Sequence, residues 1–291
     1  GVPLGGIRLI HNDTARTADC GPSNASRQTF FSGNAVVDGL NRLIRALTPL
    51  AARLLEVPPE GVRFEKGAFF SPAEPGHRVS LGGLAAVASR AGTLPTVTGG
   101  FEVRTVPMNP KTGEGRPYGA YISGAHVVEA DVNLRSGQVR LVRVTSIHDI
   151  GRVVDRTRVE GQIEGSVAMG IGFALMERFV PGETERLADY PVPRAGDVPE
   201  VRSVLIETPA AAVPFGAKGI GESGLLSVAP AIVNAIADAT GVHLTALPGT
   251  KDVLRRAGKE RASRDRSRPA GAPIAAAAPA APAAAEAARP A

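Results

Sequence analysis

The chain reads as a mixed α/β (α+β) protein, and three observations predict it. Apolar residues recur at three- and four-residue spacing over 34–57, 156–177 and 225–240. They alternate at period two over Tyr121–Val132 and Val139–Ile147. Runs rich in Gly, Pro and Asn separate the two kinds of segment. With 291 residues and 43% hydrophobic content, the chain is long enough for one large domain or two small ones with a sizeable core. Tryptophan is absent and aromatics make up 4%, so Val, Ile, Leu and Ala must do the packing.

In chain order, Ile7–Ile10 is a short strand candidate, followed by a polar loop from Asn12 to Ser32; loops of that length usually serve a site. Asn34 is placed to cap a helix whose Val36, Val37, Leu40, Leu43, Ile44 and Leu47 form one face, until Pro58-Pro59 stops it. Val62–Phe64 and Ala68–Phe70 flank Glu65-Lys66-Gly67 as a small hairpin, and Leu81–Ala91 is a short helix before Gly92. A loop from Phe101 to Tyr118 leads into the two alternating segments, joined as a β-hairpin by Arg135-Ser-Gly137. Asp155 can cap a helix over 156–177 with an apolar stripe of Val159, Ile163, Val167, Ile171 and Ala174. Its glycines at 161, 165, 170 and 172 each cost about 1 kcal/mol relative to Ala, so close packing of that face on a backbone or cofactor is expected. Val201–Ile206 is a strand, and Leu225–Thr240 is a helix ending at Gly241. From Arg261 the composition collapses to Ala, Pro, Arg and Ser. The domain is therefore expected over 1–256, with a disordered Ala/Pro/Arg-rich tail over 257–291.

The net charge of +5 does not point to nucleic acid. Residues 255–291 hold eight Lys/Arg and three Asp/Glu, which is the whole surplus, and no stacking aromatics accompany them. The single cysteine, Cys20, forbids an internal disulfide and excludes an iron–sulfur cluster or thiolate zinc site built by this chain alone. No stretch of 18 apolar residues occurs, and no signal sequence opens the chain, so a cytoplasmic protein without membrane contact is expected. The first residue is Gly1, not Met, which fits either processing or the middle of something longer.

Three polar elements could carry chemistry. The run Pro214-Phe-Gly-Ala-Lys-Gly-Ile-Gly-Glu-Ser-Gly224 sets one carboxylate, Glu222, among glycines at 216, 219, 221 and 224. Such glycines leave backbone N–H groups bare and permit positive φ, which suits approach to a phosphate, a pterin or a metal's oxo group. Gly219-x-Gly221-x-x-Gly224 also matches the dinucleotide fingerprint. That fingerprint needs a strand running into its first glycine and an acid ending a second strand about 20 residues on, and Pro209 and Pro214 argue against the first. Gly21-Pro-Ser-Asn-Ala-Ser-Arg-Gln-Thr29 opens a helix and offers hydroxyl, amide and backbone donors to an anionic or heterocyclic ligand. Val159-Glu-Gly-Gln-Ile-Glu-Gly165 carries Gln162, able to bond an oxo or carbonyl group. Singly, each reads equally as capping, a turn or a solvated helix face.

In this order these runs, with Asp19-Cys20, Tyr118-Gly119, His148-Asp149 and Ala237-Asp-Ala-Thr-Gly241, resemble the molybdenum-binding subunits of the xanthine dehydrogenase and aldehyde oxidoreductase group of molybdenum hydroxylases. The resemblance spans about residues 5–256 and implies the second molybdenum-cofactor-binding domain of that family. It implies that Glu222 is the catalytic carboxylate, taking a proton from a hydroxide on the molybdenum, while hydride passes to a sulfido ligand. It implies that Ala25, Ser26, Arg27 and Gln28 lie around the metal and the pterin. It further implies that Gln162 bonds the molybdopterin or an oxo group, and that Lys218, Gly219, Ile220 and Gly221 supply backbone contacts. No residue is implied as a protein ligand to the metal.

The reaction so implied is oxidative hydroxylation of an aldehyde or N-heterocycle with water as oxygen donor. The cofactor would be molybdopterin, in its cytosine dinucleotide form by family habit. Complete subunits of this family are more than twice as long, and their earlier half brings a further cofactor loop. A partner carrying that first molybdopterin-binding half is therefore implied, with 2Fe-2S clusters and any FAD on companion subunits. The alternatives are a non-catalytic fragment or scaffold and a nucleotide-binding oxidoreductase.

Overall fold

Helices and strands alternate irregularly along the chain, as the two periodicities require, in a computed structural model that describes residues 2–266. The contacts fall into two compact units. Among the described residues, one comprises the chain up to Ser123 with His148–Val159 and Leu205–Ser223; the other comprises Gly124–Ile147, Glu160–Val204 and the residues from Gly224 to 266.

In the first unit, helix α1 spans Arg27–Leu55 and begins seven residues before the cap expected at Asn34. The start is set by backbone geometry instead of periodicity: Ala25 and Ser26 both hold positive φ, 50° and 54°, and turn the loop into the helix. Asn34 lies inside α1, and its amide donates to the carbonyl of Ala212 at 3.0 Å. Leu47, Ala51, Ala52 and Leu55 of α1 form a core with Val62, Phe69 and Leu84, whereas Val36 and Leu40 of the expected stripe are exposed.

Strands β1 (Arg63–Glu65) and β2 (Ala68–Ser71) form the expected hairpin. Lys66 and Gly67, both at positive φ, make the two-residue turn that matches strand twist. A third strand, β3 (Glu74–Ser80), completes the antiparallel sheet β1-β2-β3. The sequence hides it because its run from Glu74 to Arg78 is polar and exposed, with no alternation. Helix α2 (Leu81–Arg90) follows, its first turn capped by Ser80, whose side-chain oxygen accepts from the N–H of Gly83 at 3.0 Å. Ile7–Ile10 joins no sheet; a 3-10 turn at Leu4–Gly6 precedes it, and Ile7, Leu9 and Ile10 are exposed.

The second unit is built on the sheet β4-β5-β6, whose strands span Ser123–Asn133, Gln138–Asp149 and Glu200–Ile206; the last residues of β5 and β6 belong to the first unit. The β4–β5 hairpin closes through Gly137 at φ 74°, as its sequence predicts. Helix α3 runs Arg156–Leu175, with Asp155 accepting from the N–H of Arg158 at 3.1 Å. Helix α4 runs Val228–Thr240 and ends on Gly241 at φ 67°; it starts three residues after the expected Leu225 because 221–227 is turn.

Packing explains two of the four α3 glycines. A Cβ on Gly170 would run into Val228, and one on Gly172 into Glu177 and Pro193. Added to Gly161 or Gly165, it would meet nothing within 4 Å. Helix α5 spans Lys251–Arg266, so the disordered tail expected from 257 is helical over its first ten residues. Buried Leu254 and the close approach of Gly258 to Leu134 hold that helix in the unit, neither visible in a composition count. The rest of the expected tail, 267–291, lies outside the described residues. No helix among the described residues is long and apolar enough to cross a membrane.

Candidate functional site

The loop before α1 and the glycine-rich segment 214–222 both belong to the first unit. The loop is braced by its own side chains. Arg27 Nη1 donates to the carbonyls of Cys20 and Pro22, at 2.9 and 3.1 Å, and its guanidinium lies 4.6 Å from the ring centre of Phe31. Gln28 Nε2 donates to Ser23 Oγ at 2.8 Å, while its Oε1 accepts from Ser32 Oγ at 2.6 Å. Arg27 and Gln28 therefore shape the loop with their side chains, and the Arg27 N–H closes it further by donating to the carbonyl of Asn24 at 3.1 Å. No acidic residue occupies the first turn of α1, so its positive dipole end is uncompensated there.

The segment 214–222 is anchored on its other side by residues 149–152. Gly151 and Ala217 form an antiparallel bridge. Arg152 N donates to Gly216 O, and Lys218 N to Ile150 O, each at 2.9 Å. Asp149 closes the arrangement: its Oδ2 takes Lys218 Nζ at 3.0 Å, and its Oδ1 accepts from the N–H groups of Gly151 and Thr208, both at 3.2 Å. Its carboxyl is held below the ordinary carboxylate range, first by the Lys218 hydrogen bond. Upstream, Phe215 and Gly216 both hold positive φ, 52° and 82°. For a bulky residue such as Phe215 that geometry is strained.

Loop and segment meet at Ser26. Its hydroxyl accepts from the backbone N–H of Glu222 at 2.9 Å. A Cβ on Gly219 would collide with the carbonyl oxygen of Ser26, and one on Gly221 would come within 3.2 Å of Ser26 Oγ. Gly219 is required by the close approach of two backbones, Gly221 sits tightly against the Ser26 side chain, and neither holds positive φ. Of the four glycines, only Gly216 uses positive φ.

The Glu222 side chain is exposed, while Ser223 Oγ beside it is buried without a hydrogen-bond partner among the described residues. Such an atom costs free energy unless a ligand or water satisfies it. Among the described residues no group of three or more His, Cys, Asp and Glu could hold a metal ion. The arrangement thus offers one exposed carboxylate held by its backbone, a helix start without a first-turn acid, and a buried hydroxyl lacking a partner among the described residues.

The structure brings together Ala25, Ser26, Arg27 and Gln28 with Lys218, Gly219, Ile220, Gly221 and Glu222. Gln162 lies on α3 in the second unit, exposed. The sequence reading missed the part played by Asp149; its adjacency to the buried His148 was visible, but its pairing with Lys218, 69 residues on, was not. It also missed Ser223, which only burial distinguishes. The dinucleotide reading of Gly219–Gly224 lacks its strand, since β6 ends at Ile206 and a 3-10 turn at Pro214–Gly216 intervenes.

A family model described as a molybdopterin cofactor-binding domain matches residues 1–199. The chain is 30% identical over 257 residues to the 6-hydroxypseudooxynicotine dehydrogenase complex subunit gamma of Paenarthrobacter nicotinovorans, covering 85% of this chain and 31% of that protein. It is 30% identical over 252 residues to the aldehyde oxidoreductase of Megalodesulfovibrio gigas, covering 85% and 25%. The crystal structure of the aldehyde oxidoreductase from Desulfovibrio desulfuricans is similar with a TM-score of 0.70 at 28% identity, covering 87% of this chain and 25% of that one. The chain spans about a third or less of the length of these curated relatives.

Proposed function

Because the chain belongs to the molybdopterin cofactor-binding domain family, in the molybdenum-binding subunits of the xanthine dehydrogenase and aldehyde oxidoreductase group, we propose that it forms one side of a molybdenum-cofactor site in an oxidoreductase. In this reading residues 1–256 are the cofactor-binding domain and Glu222 is the catalytic carboxylate. The substrate is an aldehyde or an N-heterocycle, and water is the oxygen donor. The observation that carries it is the hydrogen bond from the Glu222 N–H to Ser26 Oγ, which joins the two predicted cofactor segments and fixes the start of an exposed carboxylate.

The residues fit such a group. The start of α1 at Ala25–Gln28, with no acidic residue in its first turn, suits an anionic, heteroatom-rich cofactor. The close backbone approach at Gly219 and Gly221 aligns Lys218, Ile220 and their neighbours as a run of main-chain donors and acceptors. Lys218 can act there only through its backbone carbonyl, its N–H being given to Ile150 O and its ammonium to Asp149. Ser223 Oγ is an unused donor at the same place, and the Gln162 carboxamide is assigned to the same cofactor. A metal acting here would arrive with ligands of its own, in keeping with a molybdopterin cofactor; the cytosine dinucleotide form is part of the proposal.

When bound, the molybdenum cofactor supplies a two-electron acceptor and activates the water-derived oxygen. Glu222 takes up the proton that water must lose to become a nucleophile, the general-base role of an ionised carboxylate, worth typically about 10²–10⁴ in rate. Companion subunits carrying 2Fe-2S clusters, with FAD where present, would take up the two electrons. The partner carrying the other half of the cofactor contacts completes the site.

The test is molybdenum content by elemental mass spectrometry on the chain purified from its source, with accompanying polypeptides identified. About one molybdenum per chain together with a larger cofactor-binding partner is the expected result. Neither metal nor partner would leave a non-catalytic fragment or scaffold as the reading.

A further inference from the structure

We infer that the exposed face of α3 is the docking surface for the rest of the molybdenum-binding subunit, the polypeptide corresponding to the large part of the relatives' length that this chain does not span. The inference rests on the function proposed above.

One side of α3 is buried through Ile163, Val167, Gly170, Ile171 and Ala174. Residues 162, 165, 169 and 173 recur at three- and four-residue spacing and so share the opposite side. Met169 and Phe173 on that side are 54% and 60% exposed, two large apolar side chains one turn apart.

The glycines give an independent argument. Gly170 and Gly172 are explained by neighbours within the unit, but Gly161 and Gly165, toward the exposed side, have nothing within 4 Å of an added Cβ. Each still destabilises a helix interior relative to Ala. Close approach of another backbone offsets that cost, and no such backbone exists among the described residues.

The occupant follows from extent. The chain covers 31% of one curated relative and 25% of another, so the bulk of such a subunit is left to cover a surface of this kind.

The chain has three methionines, Met108, Met169 and Met176, and Met108 is 52% exposed, which makes it an internal control. Limited peroxide oxidation, read by peptide mass spectrometry, is run on the isolated chain and on the enzyme purified from its source with the remainder of the subunit present. Sulfoxide formation at Met169 is expected to be readily seen in the isolated chain and suppressed roughly tenfold in the enzyme, because oxidation follows exposure. Phe173→Asp, a change on an exposed surface, is expected to leave the melting of the isolated chain unaltered and to restore Met169 oxidation in the enzyme.

Equal oxidation of Met169 in the two preparations, with the remainder present, overturns the inference and leaves the proposed function standing. Protection that appears in the isolated chain on raising its concentration makes the face an interface between copies, which also overturns it. Absence of any further polypeptide, without molybdenum, overturns the proposed function itself.

Discussion

The side-chain oxygen of Ser26 accepts a 2.9 Å hydrogen bond from the backbone N–H of Glu222, across 196 residues of chain. A serine at a helix start normally bonds its own first turn; this one makes no such cap and holds the other segment instead. Ser26→Ala is expected to lower stability by about 1 kcal/mol, the net worth of a typical hydrogen bond, as a shift of the denaturant midpoint. The Glu222 amide should then exchange its hydrogen faster. Unchanged exchange at that amide would show that the bond does not position the carboxylate.

Gly219 and Gly221 should respond differently to the same substitution. Gly219→Ala drives a methyl into the Ser26 carbonyl, which is backbone and cannot swing away, so a loss of roughly 1–3 kcal/mol is expected. Gly221→Ala meets the Ser26 hydroxyl at 3.2 Å, and a rotation of that side chain accommodates it with a smaller loss. Equal denaturation midpoints for the two variants would contradict the observed contact.

Glu222→Gln keeps the shape and removes the base. Turnover of an aldehyde or N-heterocycle by the assembled enzyme should fall by a factor of about 10² or more, with molybdenum content unchanged. Activity within a few-fold of the parent would remove Glu222 from the mechanism. Gln162→Ala should instead reduce cofactor occupancy, measured as molybdenum per chain, with a smaller effect on the rate per bound metal.

Two side chains near the candidate site contribute to the acid limb of stability. His148 is buried, and burial lowers its pKa. As pH falls through about 6.5, the unfolded chain binds a proton that the folded chain refuses. Stability should therefore begin to decline there and level off only below the folded pKa; His148→Gln should remove that part of the slope. Asp149 has its folded pKa lowered, first by Lys218, so its contribution is present above the ordinary carboxylate pKa of about 3.9 and is lost as pH falls through the folded value. Asp149→Asn keeps an oxygen for the Gly151 and Thr208 amides but loses the charge, and its stability should depend less on pH in that lowest range. Parallel curves for parent and variant in urea melts would exclude Asp149 as the source.

How much could be read beforehand depended on whether a signal was local. The β4–β5 hairpin, the body of α3 with its Asp155 cap and the end of α4 at Gly241 were legible, because periodicity, a capping side chain and a terminal glycine are properties of neighbouring residues. Strand β3 was not, since its polar, exposed residues owe their extended form to pairing with β2. The start of α1 was missed for the same kind of reason: it depends on the positive φ of Ala25 and Ser26. The helix over 251–266 was hidden in a composition that suggested disorder.

By itself the sequence determined the mixed α/β class, the motif order that marks the family, and Glu222 as a lone carboxylate among glycines. The tertiary structure decided what two of those glycines do, which is to let Gly219 and Gly221 approach Ser26 closely. It also decided that Lys218 is committed to Asp149 and that Gly161 and Gly165 face open space on α3. The division has a physical cause: a backbone's local preferences are written in adjacent residues, whereas steric approach and ion pairing depend on distances that exist only after the chain has folded.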